Sequence, residues 1–358
     1  MNNSTTTARP GFEERLKQLR TEAATHGAVS SAGIQPVGGP LPSSAGGLPD
    51  AGYYGLPVLK PPVWKWMIAV YFFVGGIAGM SGVIAAAAWW RGDELVARFA
   101  LWPAGIGALI SPVLLIWDLG RPARFLNMLR VLKVQSPMSV GTWILSGFAT
   151  CATLAVVLSE WRWSQIAAGG TASPVVSVLG AIVISGSGIL GMFLATYTGA
   201  LLGATAIPAW NLHCTLLPLR FGIGGLGSAV AVIELAGYRS TALQVIGYFA
   251  AAIGTVAWLA LEFGKHGDAD SIVHEGLIGG SLRLSDLLEG LVPLVLRWTG
   301  WIAVADVSFL VGALISRFAW LAAGRASACS PASVFARQAA QDSTGDATRP
   351  NSPRHGHP

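Results

Sequence analysis

Between two polar ends, the chain is a succession of apolar runs about twenty residues long, the length a helix needs to cross a bilayer. Charge-poor stretches place spans at 65–90, 98–117, 139–159, 175–202, 209–235, 241–262, 276–297 and 299–321. No Asp, Glu, Lys or Arg occurs from 163 to 219. That run is too long for one helix, and Pro208 marks the break. The seventh span is the weakest, because Arg283, Asp286 and Glu289 interrupt it. The pattern predicts an all-α integral membrane protein of eight transmembrane helices, packed as two four-helix bundles. An even number of spans puts both tails on one side.

Residues 1–60 form a tail rich in Gly, Pro, Ser, Thr and Ala, with one short amphipathic stretch at 11–24. The membrane domain is expected at 61–322 and a second polar tail at 323–358. Such tails cannot bury enough apolar surface to order themselves.

Composition agrees. The chain is 53% hydrophobic and 11% charged, against about a quarter charged in soluble domains. Its net charge of +5 needs no nucleic acid to explain it, because basic residues gather at the cytoplasmic ends of helices. Lys and Arg cluster on the tail side: Arg9, Arg15, Lys17, Arg20, Lys60, Arg121, Arg124, Arg130, Lys133, Lys265, Arg317, Arg325 and Arg337. The other side has Arg91, Arg98, Arg162, Arg239 and Arg297. The tails are therefore expected in the cytoplasm.

The stretch DLGRPARFLNMLRVLKVQSPMSVGTW, 118–143, concentrates charge between two spans. Asp118 closes the second span, Gly120 can turn the chain, and Pro122 suits the first position of a helix. Phe125, Leu129 and Leu132 then share one face, and Arg124, Asn127 and Arg130 another. This predicts a short helix in the membrane interface, stopped at Ser136-Pro137, with Ser139 as N-cap of the third span. Two uses fit. Asp118 pairs with Arg121 or Arg124 while the other bases meet phosphate headgroups. Or this is a polar site at the membrane edge, where a lipid-soluble redox molecule finds a carboxylate for its proton and an arginine for its oxygen.

Ionisable residues inside spans are costly and carry a functional expectation. Arg220, Glu234, Asp286, Glu289 and Asp306 are such residues. Asp306 is the cleanest, with Arg220 or Arg283 as the expected partner; a proton path through Asp306 and Glu234 is the functional reading. The Gly-rich runs at 75–82, 186–191 and 222–227 lack a following Lys-Ser or Lys-Thr, so close helix packing explains them. Six histidines, of which only His213 lies in a span, cannot supply the paired axial ligands of a di-haem cytochrome b. Cys151, Cys214 and Cys329 form no CxxC pair, so this chain is expected to hold neither haem nor an iron–sulfur cluster.

Three motifs carry a resemblance. DLGRPARFLNMLRVLKVQSPMSVGTW, WKWMIAVYFFVGGIAG at 64–79 and TYTGALLGATAIPAWN at 196–211 resemble the NrfD family, the membrane subunits of polysulfide-reductase-like complexes. The resemblance covers about 60–320. It implies an eight-helix quinone-interacting anchor in the bacterial cytoplasmic membrane, without haem or cluster of its own. Menaquinone or ubiquinone would be the exchangeable cofactor. The implied partners are a ferredoxin-like iron–sulfur subunit and a molybdopterin-containing catalytic subunit. On that reading Asp118 accepts a proton, Arg121 or Arg124 orients it, and Tyr71 or Tyr197 hydrogen-bonds the ring oxygens. Asn211 and His213 stand near the start of the fifth span, where His213 is a further quinone-binding candidate suited to proton transfer near neutral pH.

Overall fold

The computed structural model describes residues 59–60, 64–119, 123–263, 271–330 and 333–334. Every regular element among them is helical: α1 (Trp66–Trp90), α2 (Glu94–Asp118), α3 (Ala123–Arg130), α4 (Pro137–Ala167), α5 (Pro174–Gly203), α6 (Pro208–Leu212), α7 (Leu216–Leu235), α8 (Thr241–Glu262), α9 (Ser271–His274), α10 (Gly276–Glu289), α11 (Leu291–Trp298) and α12 (Ile302–Cys329). Seven of these, α1, α2, α4, α5, α7, α8 and α12, are long and apolar enough to cross a membrane. The chain is a multi-pass membrane protein.

The predicted seventh span is a broken rod, α10 and α11, interrupted at Gly290. A Cβ at Gly290 would press on the backbone of Thr255 in α8 and on Asp286 O, so the break lies where two backbones approach too closely for a side chain. The predicted fifth span also divides. Residues 208–212 form the short α6, and the membrane helix begins at Leu216.

α1, α2, α4 and α5 pack together, as do α7, α8, α10–α11 and α12, and α1 bridges the groups through α7 and α12. Glycine allows close approach both within the first group, between α1 and α5, and between the groups, where α7 meets α1. A Cβ at Gly79 would collide with the backbone of Gly191, and one at Gly225 with Gly76 O; only small residues allow such approach. α1 begins and α12 ends on one face, called proximal here. On the opposite, distal face the turns are tight. Gly92, Gly169, Gly237 and Gly300, which follow α1, α4, α7 and α11, all have φ between 77° and 97°. Such left-handed residues terminate helices, and glycine takes them without strain.

Helix starts follow local chemistry. The Asp93 carboxylate accepts from Val96 N at 3.1 Å, and Ser240 Oγ from Leu243 N at 3.2 Å. The third span starts earlier than predicted. Pro137 takes the first helical position with extended Ser136 before it. Ser139 is no N-cap; its hydroxyl accepts from Lys133 N at 3.1 Å and donates to Val131 O at 3.3 Å, tying the preceding loop to α4. The expected helix is present as α3 but ends at Arg130, short of the predicted stop at Ser136-Pro137; Phe125 and Leu129 are half-buried, Asn127 and Arg130 exposed, and Leu132 lies beyond the helix, exposed. The tail stretch 11–24 lies outside the described residues.

Candidate functional site

The proximal end of the first bundle gathers several of the predicted residues. Asp118, last residue of α2, is half-buried, and its Oδ1 accepts from Lys65 N at 3.3 Å. It thus caps the unsatisfied first turn of α1, where a carboxylate is also favoured by the helix dipole. Six residues further, about 9 Å deeper along the helix, Tyr71 is buried against the Phe72 ring. Its hydroxyl lies close enough to Tyr197 for the two to interact electrostatically. Ser111 of α2 is fully buried with no partner for its hydroxyl; it lies beside Gly75, on the side that also meets the Tyr71 ring. Nothing in the sequence pattern singles out Ser111, a small residue in an apolar helix.

Tyr197, near the proximal end of α5, is already committed. Its hydroxyl donates to Pro137 O at 2.5 Å, and its ring packs on Gly141. This bond ties Tyr197 to the first turn of α4, so Tyr197 joins α4 to α5 beside Tyr71. Arg121 lies outside the described residues, as does the side chain of Arg124.

His213 belongs to another group. It is buried at the α6–α7 junction, with Nδ1 2.9 Å from Ala209 O and its ring edge-on to Trp320 of α12, centroids 5.3 Å apart. Around it, Trp64 stacks on Trp210 at 5.3 Å, and Trp210 Nε1 donates to Trp320 O at 2.7 Å. This aromatic floor joins the start of α1 to α12. Asn211 donates to Gly203 O and Thr205 O, closing the loop between α5 and α6.

The intramembrane charges pair differently from expectation. Asp306 is bound to neither Arg220 nor Arg283. Its partner is Arg297, whose Nη2 donates to Asp306 Oδ1 at 2.5 Å and to Glu234 Oε2 at 2.6 Å. Gly247 of α8 leaves room for that guanidinium. Arg297 is therefore not one of the distal loop charges; it folds back into the bundle and is 4% exposed. Arg220 pairs with Asp286, and Arg283 pairs with Glu262 at 2.9 Å.

An apolar cleft of about 400 Å³ opens between α1, α2 and α7 towards the distal half, lined among others by Val74, Phe99, Trp102, Pro103 and Ile233. None of the predicted site residues lines it. Among the described residues, no group of three or more His, Cys, Asp or Glu is placed to hold a metal ion.

The family model described as Polysulphide reductase, NrfD, matches residues 58–263, more than half of the chain. The chain belongs to the NrfD family. That match takes in Tyr71, Ser111, Asp118, Tyr197, His213, Arg220 and Glu234, and ends before α9. A polysulfide reductase subunit of Wolinella succinogenes is 29% identical over 206 residues, 52% of this chain and 63% of that protein. The chain thus spans less than two thirds of that relative's length. All three motifs of the resemblance fall within the NrfD match.

Proposed function

We propose that this NrfD-family chain is the quinone-interacting membrane subunit of a multi-subunit oxidoreductase. It passes electrons between the quinone pool and an iron–sulfur partner subunit, itself attached to a molybdopterin-containing catalytic subunit. The observation that carries the reading is the convergence of Tyr71, Ser111 and Asp118 on the proximal half of the α1–α2 pair. The family membership and the name of the Wolinella relative support the redox setting.

The residues suit a quinone headgroup. Ser111 is a buried hydroxyl without a protein partner, and a polar group left so costs free energy that a ligand's oxygen would recover. Tyr71 supplies a second hydroxyl and an apolar ring. Bound quinol, menaquinol or ubiquinol, would supply two electrons and two protons. Tyr71 and Ser111 hold the ring oxygens, Tyr197 keeps α4 and α5 in place around them, and Asp118 takes a proton at the membrane edge. Arg121 and Arg124 are proposed to orient Asp118, and His213 to stand by as a second proton acceptor. Electrons leave for the partner at the proximal face, on the cytoplasmic side of a bacterial inner membrane. Quinone reduction uses the same groups in reverse.

The test is turnover with a quinol analogue in the assembled complex. Asp118→Asn keeps an oxygen to cap α1 but removes the charge, so assembly is retained and quinol-coupled electron transfer falls at least tenfold. Tyr71→Phe raises the KM for quinol. If both variants turn over as wild type does, the chain is an anchor without quinone chemistry.

A further inference from the structure

The second bundle holds seven ionisable residues along the facing sides of α7, α10, α11 and α12. Six of them are at least 92% buried: Arg220, Glu234, Asp286, Arg297, Asp306 and Arg317. The seventh, Glu289, turns its carboxylate against Gly224 of α7. On α7, Arg220 and Glu234 are fourteen positions apart, about 21 Å along the axis, or most of a hydrocarbon core of about 30 Å. The residues fall into two groups. Between them Phe309 fills the space over Gly227, and the hydroxyls of Ser228 and Ser308 are spent on Gly224 O and Leu288 O.

The two groups differ in charge count. The proximal one balances. Arg220 pairs with Asp286, and Arg317, with its guanidinium 3.9 Å from the Phe221 ring centroid and donating to Phe221 O at 2.9 Å, lies close to Glu289. Ser316 also hydrogen-bonds Glu289. Two guanidinium groups meet two carboxylates. The distal group does not balance, because Arg297 alone faces both Glu234 and Asp306. Its Nη2 serves both acids. Glu234 Oε1 and Asp306 Oδ2 are left buried without a donor, and Arg297 Nε and Nη1 without an acceptor, although the two carboxyl groups are within hydrogen-bonding reach of one another. Two ionised carboxylates cannot share such a place, since burial and mutual repulsion both disfavour the second charge. A proton between them removes the excess charge and supplies the missing donor in one step.

We propose that Glu234, Arg297 and Asp306 form a binding site for a single exchangeable proton, set just inside the distal face of the second bundle. The inference stands independently of the quinone reading, whose central residues lie at the proximal end of the other bundle. The groups facing the site are few. Glu234 comes from α7, and Arg297 from α11 with the Phe309 ring of α12 5.6 Å from its guanidinium. α8 contributes Gly247. Among the described residues, the loop between α7 and α8 contributes Arg239, the one other cation that acts on Asp306. Arg239 is solvent-exposed and its charge is screened there, so it does not replace the proton. Phe309 separates this site from the charge-balanced proximal group.

The test is infrared difference spectroscopy of the full chain, purified in detergent, comparing H₂O with D₂O and stepping the pH. Wild type is expected to show a protonated-carboxyl C=O band that shifts in D₂O. Glu234→Gln and Asp306→Asn each leave one carboxylate for one guanidinium, so each abolishes the band while thermal stability stays at or above wild type. The double variant Glu234→Gln/Asp306→Asn strands Arg297 and melts well below either single variant. Arg239→Gln retains the band. A wild-type protein without such a band, or a band that survives both single variants, overturns the proposal. So does a band absent from wild type that appears in Arg239→Gln, which would make Arg239 the missing counter-charge.

Discussion

Arg220 and Asp286 bring opposite charges into contact one turn inside a membrane helix, 8% and 3% exposed. Each ion would be costly there alone, by about 2.5–3.5 kcal/mol on insertion scales. Removing one partner leaves the other uncompensated. Arg220→Leu should therefore lower the unfolding free energy in detergent by about 3–5 kcal/mol. Arg220→Leu combined with Asp286→Leu should recover most of that loss, and chemical denaturation of the two variants decides it. If the double variant is no better than the single one, the pair is not what holds the two helices there. Single residues also mark the limits of reading by sequence. Asp118 is recognisable as a carboxylate at a membrane boundary, but its capping of α1 is not, because Lys65 is 53 positions away. Arg297 is misplaced by sequence for a similar reason. A basic residue at the end of an apolar run looks like an interfacial charge until a glycine on another helix, Gly247, is seen to make room for it.

At the scale of elements, apolar run length is a good guide to where helices lie, because one physical requirement, satisfying backbone groups in lipid, sets that length. The apolar runs match α8 at its full extent, Thr241–Glu262, and α1 and α5 within a residue at either end. Breaks are less legible. The charges in the seventh span signal that something is unusual, but only packing of Gly290 against α8 accounts for the interruption. The glycine runs read as packing surfaces, and α1 against α5 bears this out where Gly79 meets Gly191. A side chain at either position has backbone in its way rather than a movable neighbour. Gly79→Leu is accordingly expected to prevent stable packing of the first bundle, seen as loss of monodisperse protein on extraction. Gly180→Leu on α5, the other helix of that contact, where no atom lies within 4 Å of a new Cβ, should be tolerated. Equal behaviour of the two variants would remove close glycine packing as the reason for the α1–α5 contact.

At the scale of the whole molecule, basic residues are divided unequally between the two faces. On the distal side, Arg98 is held by Glu160 through two bonds of 2.8 and 2.6 Å, and Arg162 by Glu94 at 2.6 Å. Arg297 is buried between two acids. Three of the five distal arginines are thus paired with acids, and Arg297 lies inside the bundle rather than in a loop. Arg91 and Arg239 are the remaining two. The proximal loop keeps Arg130 and Lys133 exposed, and the positive-inside rule counts such short-loop bases. The proximal face is therefore expected in the cytoplasm. In a variant whose three cysteines are replaced, Gln135→Cys on the proximal loop and Thr171→Cys on the turn between α4 and α5 both present an exposed thiol. A membrane-impermeant maleimide added to intact cells should label Thr171→Cys, and should reach Gln135→Cys only after the membrane is opened. The reverse pattern would invert the protein and move both the proposed quinone site and its docked partner to the outer side. It would also turn the Glu234–Arg297–Asp306 site towards the cytoplasm, so that a proton bound there would come from the cell interior.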